Sequence, residues 1–366
     1  METEKLYEDS LALLKSLIST PSPSGEEKDS AKLIRSFLVA RDINVYSVGN
    51  NIWAYNRAFN SKKATVLLNS HHDTVLPNGG YRRDPYHPAL EEGKLYGLGS
   101  NDAGGCLVSL IAAFLHFDSR PELPFNLCLA LTAEEENSGQ NGIKLVLSHL
   151  HSIDMAIVGE PTNMQMAIAE KGNMVITCRA QGRAGHAART EGDNAISKAL
   201  RDIQWIEQYR FTKESDLLGP VKMSATQIKG GLQPNIIPDE CIFTVDVRLT
   251  EAYSADEVLE TMKANMSAEL RVATSIMNPS RISIEHPIVK AGLALGMKTF
   301  ASPTCSDQGW LDIPSIKIGP GDSVRSHMAD EYIYLREIDE GIKGYIALLD
   351  TMTSMLINAT SVQDVK

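Results

Sequence analysis

The sequence predicts an α/β protein with a mostly parallel central sheet, interrupted by an inserted α+β unit. Three observations carry that prediction. Apolar strands alternate with helical segments up to about residue 158, the pattern of a layered sheet. After Lys171-Gly172 the texture turns to half-exposed alternation, and from about residue 287 the α/β texture resumes. At 366 residues the chain also exceeds what one ordinary core supports. The predicted domains are therefore 1–172 plus 281–366, and an inserted 173–280.

In order, residues 4–19 place Leu6, Leu11, Leu14, Leu17 and Ile18 on one helical stripe, stopped by Pro21-Ser22-Pro23-Ser24-Gly25. Ser24 and Glu27 have capping-box spacing and predict a second helix to about Leu38. Short strands follow near 43–48, 51–56 and 64–70. A helix of small and apolar residues is expected over 104–117, then an uninterrupted apolar strand at 125–132, the kind buried on both faces. A helix at 143–150 and a strand at 155–158 complete the first part. In the insertion, 174–179 and 242–249 alternate as antiparallel strands do. Helices are expected at 194–209 and 255–268, and strands at 222–228 and 280–284. A helix at 287–296, a turn at 304–307, a strand at 315–318 and a final helix at 336–357 close the chain.

Composition narrows the function classes. Apolar content of 43% and charge of 22% are those of a globular protein. A net charge of -11 offers no basic stripe, so no nucleic-acid partner is expected. Cys106, Cys128, Cys178, Cys241 and Cys305 are scattered without a CxxC, as reduced thiols of a cytoplasmic protein would be. The acidic opening, Met1-Glu2-Thr3-Glu4-Lys5, does not read as a signal peptide. No apolar run reaches membrane-spanning length, and no membrane partner is expected.

Five segments carry candidate chemistry, most of them at the end of an apolar strand. His71-His72-Asp73 closes the run 66–70, and period two puts Asp73 on the face of His71, able to orient it. Asp102 lies in Gly97-Leu98-Gly99-Ser100-Asn101-Asp102-Ala103-Gly104-Gly105, before a helix. Glu134-Glu135-Glu136 follows strand 125–132, and Glu160 in Gly159-Glu160-Pro161-Thr162 follows strand 155–158. His327 lies in Ser326-His327-Met328, past the Gly319-Pro320-Gly321 turn. Open α/β sheets bind ligands outside the carboxyl ends of their strands, where these groups would meet. Two imidazoles and three carboxylates suit divalent zinc above all, with cobalt or manganese as substitutes. The absence of sulfur fits catalysis rather than a closed structural site. A second Glu beside a ligating one can serve a metal-activated water as base. Taken singly, Asp102 could cap a helix, His71 could be a satisfied core histidine and Glu135-Glu136 a solvated surface. Their joint order favours a metal site.

The runs Ser-His-x-Asp-x-Val, Leu-Tyr-Gly-x-Gly-x-x-Asp-x-x-Gly, Thr-Ala-Glu-Glu-Glu-x-x-Gly, Gly-Glu-Pro-Thr and the late Ser-His resemble the dinuclear-zinc amidohydrolase and metallopeptidase family. That family includes acetylornithine deacetylase and succinyl-diaminopimelate desuccinylase. The resemblance spans nearly the whole chain. It implies a zinc-peptidase-like catalytic domain holding two zinc ions. His71 and Glu160 would hold one ion and Glu136 and His327 the other, with Asp102 bridging, Asp73 orienting His71 and Glu135 as general base. It implies a cis peptide after Asp102, and a homodimer formed through the inserted dimerisation (lid) domain. His186, in Gly182-Arg183-Ala184-Gly185-His186-Ala187, would reach the partner's site to stabilise an oxyanion; a plain histidine in a glycine-rich turn is the alternative. Asn235, Arg248 and Gly321 would contact substrate, a cross-strand salt bridge being the rival role for Arg248. The implied activity is hydrolysis of an N-acyl amide on a small amino acid, foremost N-acetyl-L-ornithine in arginine biosynthesis. Succinyl-diaminopimelate, acyl-citrulline or succinyl-ornithine deacylation and aminopeptidase activity are alternatives, and a non-catalytic dimeric binding protein is the reading from another class. Many family members carry Arg at the position of Leu98 and Lys at that of Gly104, departures expected to touch substrate preference rather than metal binding.

Overall fold

The computed structural model describes residues 3–273 and 275–363, with side chains up to 359. The chain divides into two compact units, the first comprising 1–168, 281–300 and 306–366, the second 169–280 and 301–305. The break after Ile168 falls four residues before the expected one, and 301–305, expected with the first part, belongs to the second unit.

In the first unit the central strands run in the order Val45–Val48, Asn51–Tyr55, Asn126–Thr132, Thr65–His71, Met155–Val158, Ser315–Lys317. The last four are parallel, while Val45–Val48 and Asn51–Tyr55 add an antiparallel edge. Asn126–Thr132 and Thr65–His71 are buried at every residue, which explains their lack of alternation. Register then aligns their ends. His71 sits opposite Thr132, and Asn69 lies between Ala130 and Val158. His71, Glu135 and Glu160 thus leave the sheet at the same edge.

The helix Gly105–Phe117 is buried everywhere except at His116, as a segment apolar all round requires. The turn Ser100–Gly104 precedes it and contains a cis peptide between Asp102 and Ala103, as expected. Gly104 has no room for a side chain, since a Cβ there would lie 2.3 Å from the carbonyl oxygen of Gly99 and 2.6 Å from Leu14.

Two local expectations fail. Ser24 and Glu27 form no capping box, because their side chains serve other partners: Ser24 donates to Asp73 (2.7 Å), and buried Glu27 accepts from neighbouring Gly25 (2.5 Å) and from distant Asn50 (2.8 Å) and the Glu134 N–H (3.2 Å). The strand expected at 280–284 shrinks to Ser280–Arg281. A small antiparallel sheet of Ala89–Glu91, Lys94–Tyr96 and Tyr332–Tyr334 was not anticipated, its strands being three residues each.

The second unit is an antiparallel sheet ordered Lys222–Gly230, Glu240–Leu249, Gly172–Gln181, Glu269–Val272. Alternation aims Met174, Ile176, Cys178, Phe243, Val245 and Val247 into one core. The helices Ala195–Gln208 and Ala255–Asn265 contribute to that core. Asn194 caps the first, and Ser254 with Glu257 forms a true capping box on the second.

Candidate metal centre

The first unit brings six of the sequence-singled residues together. His71 ends its strand almost wholly buried. Its Nδ1 faces the Asp73 carboxylate at 3.3 Å and the Asp73 carbonyl at 3.1 Å. Its Nε2 faces Asp102 at 3.4 Å, Glu160 at 3.7 Å and Glu135 at 4.0 Å, yet makes no hydrogen bond. A buried ring nitrogen with three carboxylates just beyond hydrogen-bond reach is the geometry a shared cation would fill.

Asp102 faces both ways. Its Oδ1 looks to His71, while its Oδ2 lies 3.7 Å from His327 Nε2. His327 bonds Glu136 at 2.9 Å. Two sets of donor atoms, from His71, Asp102 and Glu136 and from His71, Glu135 and Glu160, each lie within 4.8 Å of one another. Glu135, read as a base, therefore stands in the same ring of donors as Glu160.

Asp73 does more than face His71. Its carboxylate also accepts the N–H groups of Glu135 and Glu136, both at 3.1 Å, and so fixes the loop carrying both acids. Glu134 turns away, accepting from Asn141.

The electrostatics are those of a site short of positive charge. Burial pushes Glu135 well above the ordinary carboxyl range, with Glu160, Glu136 and Asp307 adding to it against the pull of His71. Burial, reinforced by Asp102, pushes Glu160 up to about 8. Burial opposes a charged His71, but Asp102, Asp73, Glu135 and Glu160 hold its pKa well above the usual histidine value. His327 rises to about 9 through its bond to Glu136. So many acids around so few cationic groups cannot all ionise unless a cation joins them. The oxygen and nitrogen donors fit zinc and its neighbours.

Sequence reasoning missed three buried carboxylates that support this cluster. Glu331 accepts the N–H groups of Gly99 (3.0 Å), Asn101 (2.7 Å) and Asp102 (2.9 Å). Asp307 accepts from Thr132 at 2.7 Å, and burial lifts its pKa to about 6. Glu27 is the third. Each follows or precedes a turn, but nothing in the local pattern names its partner.

Of the expected substrate contacts, Gly321 has a left-handed φ of 88° and abuts Asn101, whose side chain bonds Asp322 in both directions (3.0 and 3.1 Å). In the Gly319-Pro320-Gly321 turn the Gly319 N–H is bonded to Thr162 and proline has none, which leaves Gly321 as the turn's remaining donor. In the second unit, exposed His186 pairs with Ile236 across a two-residue ribbon, and Ala187 bonds the Asn235 carbonyl, so His186 and Asn235 are close neighbours. Arg248 is held bidentately by Asp246 (2.8 and 3.1 Å), with Cys305 Sγ at 3.8 Å, so it forms a salt bridge, but within one strand rather than the cross-strand pair expected. Of the two departures, Leu98 is buried and Gly104 is sterically enforced.

A model of peptidase family M20/M25/M40 matches residues 67–351. The chain belongs to this family. As an M20 member it is a metal-dependent hydrolase. Over 351 residues it is 29% identical to a peptidase M20 domain-containing protein from Schizosaccharomyces pombe, covering 92% of this chain and 82% of that one. It is 30% identical over 291 residues to an acetylornithine deacetylase from Pectobacterium atrosepticum, covering 74% and 76% respectively. Its fold matches that of an M20 metallo-carboxypeptidase from Sulfolobus solfataricus with a TM-score of 0.77 at 16% identity, over 94% of this chain and 99% of that one. Among the described residues no helix is long and apolar enough to cross a membrane.

Proposed function

We propose that this M20 hydrolase cleaves the N-acyl amide bond of a small amino acid at a two-cation centre, with N-acetyl-L-ornithine, a precursor in arginine biosynthesis, as first substrate. One observation carries the two-cation reading: the Asp102 carboxylate offers one oxygen to each histidine (3.4 and 3.7 Å). His71 and Glu160 would hold one cation, Glu136 and His327 the other, and Asp102 both. Zinc is the preferred metal for this donor set, with cobalt or manganese as substitutes. Bound cations would supply Lewis acidity toward the acyl carbonyl and acidify a water molecule.

The chain's own residues do the rest. Asp73 bonds the outer nitrogen side of His71 and the N–H groups of both loop acids, fixing ring and loop together. Glu135 accepts the proton of the attacking water and returns it to the leaving amine. His186 of a partner copy would donate to the oxyanion, and Asn235, Arg248 and the Gly321 N–H would hold the substrate's polar groups. The homodimer proposed through the second unit has support from its edge strand Lys222–Gly230 and from exposed Ile228, Leu232 and Ile236. A cytoplasmic setting accords with five free cysteines, four of them buried.

The acetylornithine deacetylase likeness supports the choice of substrate; succinyl-diaminopimelate, acyl-citrulline, succinyl-ornithine and short peptides are the competing substrates. Against a non-catalytic binder stands the survival of all six clustered side chains together with Asp73. Relative kcat/KM across N-acetyl and N-succinyl derivatives of ornithine, citrulline and diaminopimelate decides the substrate. Glu135→Gln should lower kcat by about 10²–10⁴-fold while the metal content stays unchanged. Substantial turnover in that variant would refute the base, and a metal-loaded wild type inert to the whole panel would refute the function.

A further inference from the structure

Glu331 stands out among the groups the mechanism leaves unused. It is 2% exposed, and both its oxygens are engaged by backbone donors of a segment about 230 positions earlier. Those donors belong to Gly99, Asn101 and Asp102, the turn that presents the proposed bridging carboxylate. The backbone of Glu331 grips the same turn, its carbonyl accepting from the Gly97 N–H at 3.0 Å. Glu331 also lies four residues past His327, on the same loop.

Other anchors hold that loop as well: Ser326 bonds Asp102, and Tyr332, directly after Glu331, pairs with Tyr96. Asn78 bonds the His327 carbonyl at 3.1 Å, and Asp330 accepts from the Arg82 and Arg83 N–H groups, both at 3.0 Å. The His327 side chain is 57% exposed and its backbone is left-handed, with φ 60°. His71, by contrast, is 1% exposed and continues a fully buried strand. The two proposed cation positions thus differ in what holds them. His71 and Glu160 stand at aligned strand ends, whereas His327 reaches Asp102 and Glu136 only as far as its loop is fixed against the Asp102 turn.

We propose that Glu331 is a positioning residue that fixes the His327 loop to the Asp102 turn and thereby sets the cation affinity of the Asp102–Glu136–His327 position, leaving the His71–Glu160 position largely untouched. The proposal rests on the two-cation reading above. An ionised carboxylate is the right group for the task, because it presents acceptors only, and three N–H donors converge on it. An amide in its place would turn an NH2 toward a donor. Groups that hold metal ligands from behind typically alter affinity about 10–100-fold when replaced.

The test is titration of metal-free, full-length protein with Zn2+, by calorimetry and by competition with a chromophoric chelator. Wild type should bind two equivalents; if it does not, the two-cation reading fails and not the role of Glu331. Glu331→Gln should weaken one equivalent by about 10–100-fold and the other by less than about threefold. Glu331→Asp, which keeps the charge but is one methylene too short to span all three donors, should weaken the same equivalent to a smaller degree. Asp330→Asn serves as the control for the neighbouring loop anchor and should leave both equivalents near their wild-type affinities. Equal weakening of both equivalents, or wild-type affinity for both in a folded Glu331→Gln protein, would overturn the proposal. Failure of both Glu331 variants to fold would overturn it as well, since Glu331 would then determine the fold rather than one cation position.

Discussion

The two histidines of the proposed centre do the same chemistry from opposite circumstances. His71 is buried at a strand end, with Asp73 behind it and three carboxylates before it. His327 is half in solvent on a loop, with one direct partner, Glu136. A ligand on a sheet inherits the rigidity of neighbouring strands, whereas one on a loop depends on side chains recruited for the purpose. Here Glu331 is that recruit. The buried half should therefore be coupled strongly to folding, and the exposed half weakly.

Asp73→Ala would strain that contrast most. It strips His71, Ser24 and two backbone N–H groups of one buried acceptor, and removing one partner of a buried charged pair costs about 3–5 kcal/mol. Urea unfolding of the metal-free protein measures the loss; a cost below about 1 kcal/mol would show that the buried half is no anchor.

pH separates the halves next. Glu160 at about 8 and His327 at about 9 both bind protons more tightly when folded than when unfolded. Metal-free protein should thus lose stability as pH rises from the ordinary carboxyl range to about 8 through Glu160, and from the ordinary histidine range to about 9 through His327. Melting temperatures that climb over that interval would contradict the charge-starved site. Cation binding runs the other way: a metal must displace the His327 proton, so affinity at that position should fall by up to about tenfold per pH unit below about 9. A pH-independent second equivalent would remove His327 from the ligand set.

The smallest expected effect on stability belongs to His327→Ala. His327 is largely exposed but its partner Glu136 is buried, so the unfolding free energy should fall by about 1–3 kcal/mol while one of two cation equivalents disappears. Loss of both equivalents would make the halves interdependent.

Much of this was legible in the sequence for a physical reason. Strands buried on both faces read as apolar runs, and parallel register carries whatever follows them to one edge, so His71, Glu135-Glu136 and Glu160 could be grouped before any coordinates. The bridging role of Asp102 and its cis peptide came only through resemblance. The supports were illegible because their partners are far away: Glu331 with Asp102, Asp307 with Thr132, Glu27 with Glu134. Ser24 and Glu27 show the hazard, since capping-box spacing concealed two long-range contacts. Arg248 lay beside its true partner throughout, Asp246 being two residues back and on the same face of the strand.

Gly104 has a consequence for what the turn tolerates. With the Gly99 carbonyl where its Cβ would stand, no larger residue can be placed there without shifting the start of the helix Gly105–Phe117. The same tightness holds Asp102, two residues before Gly104, so any bulk added here would be felt at the proposed bridging carboxylate.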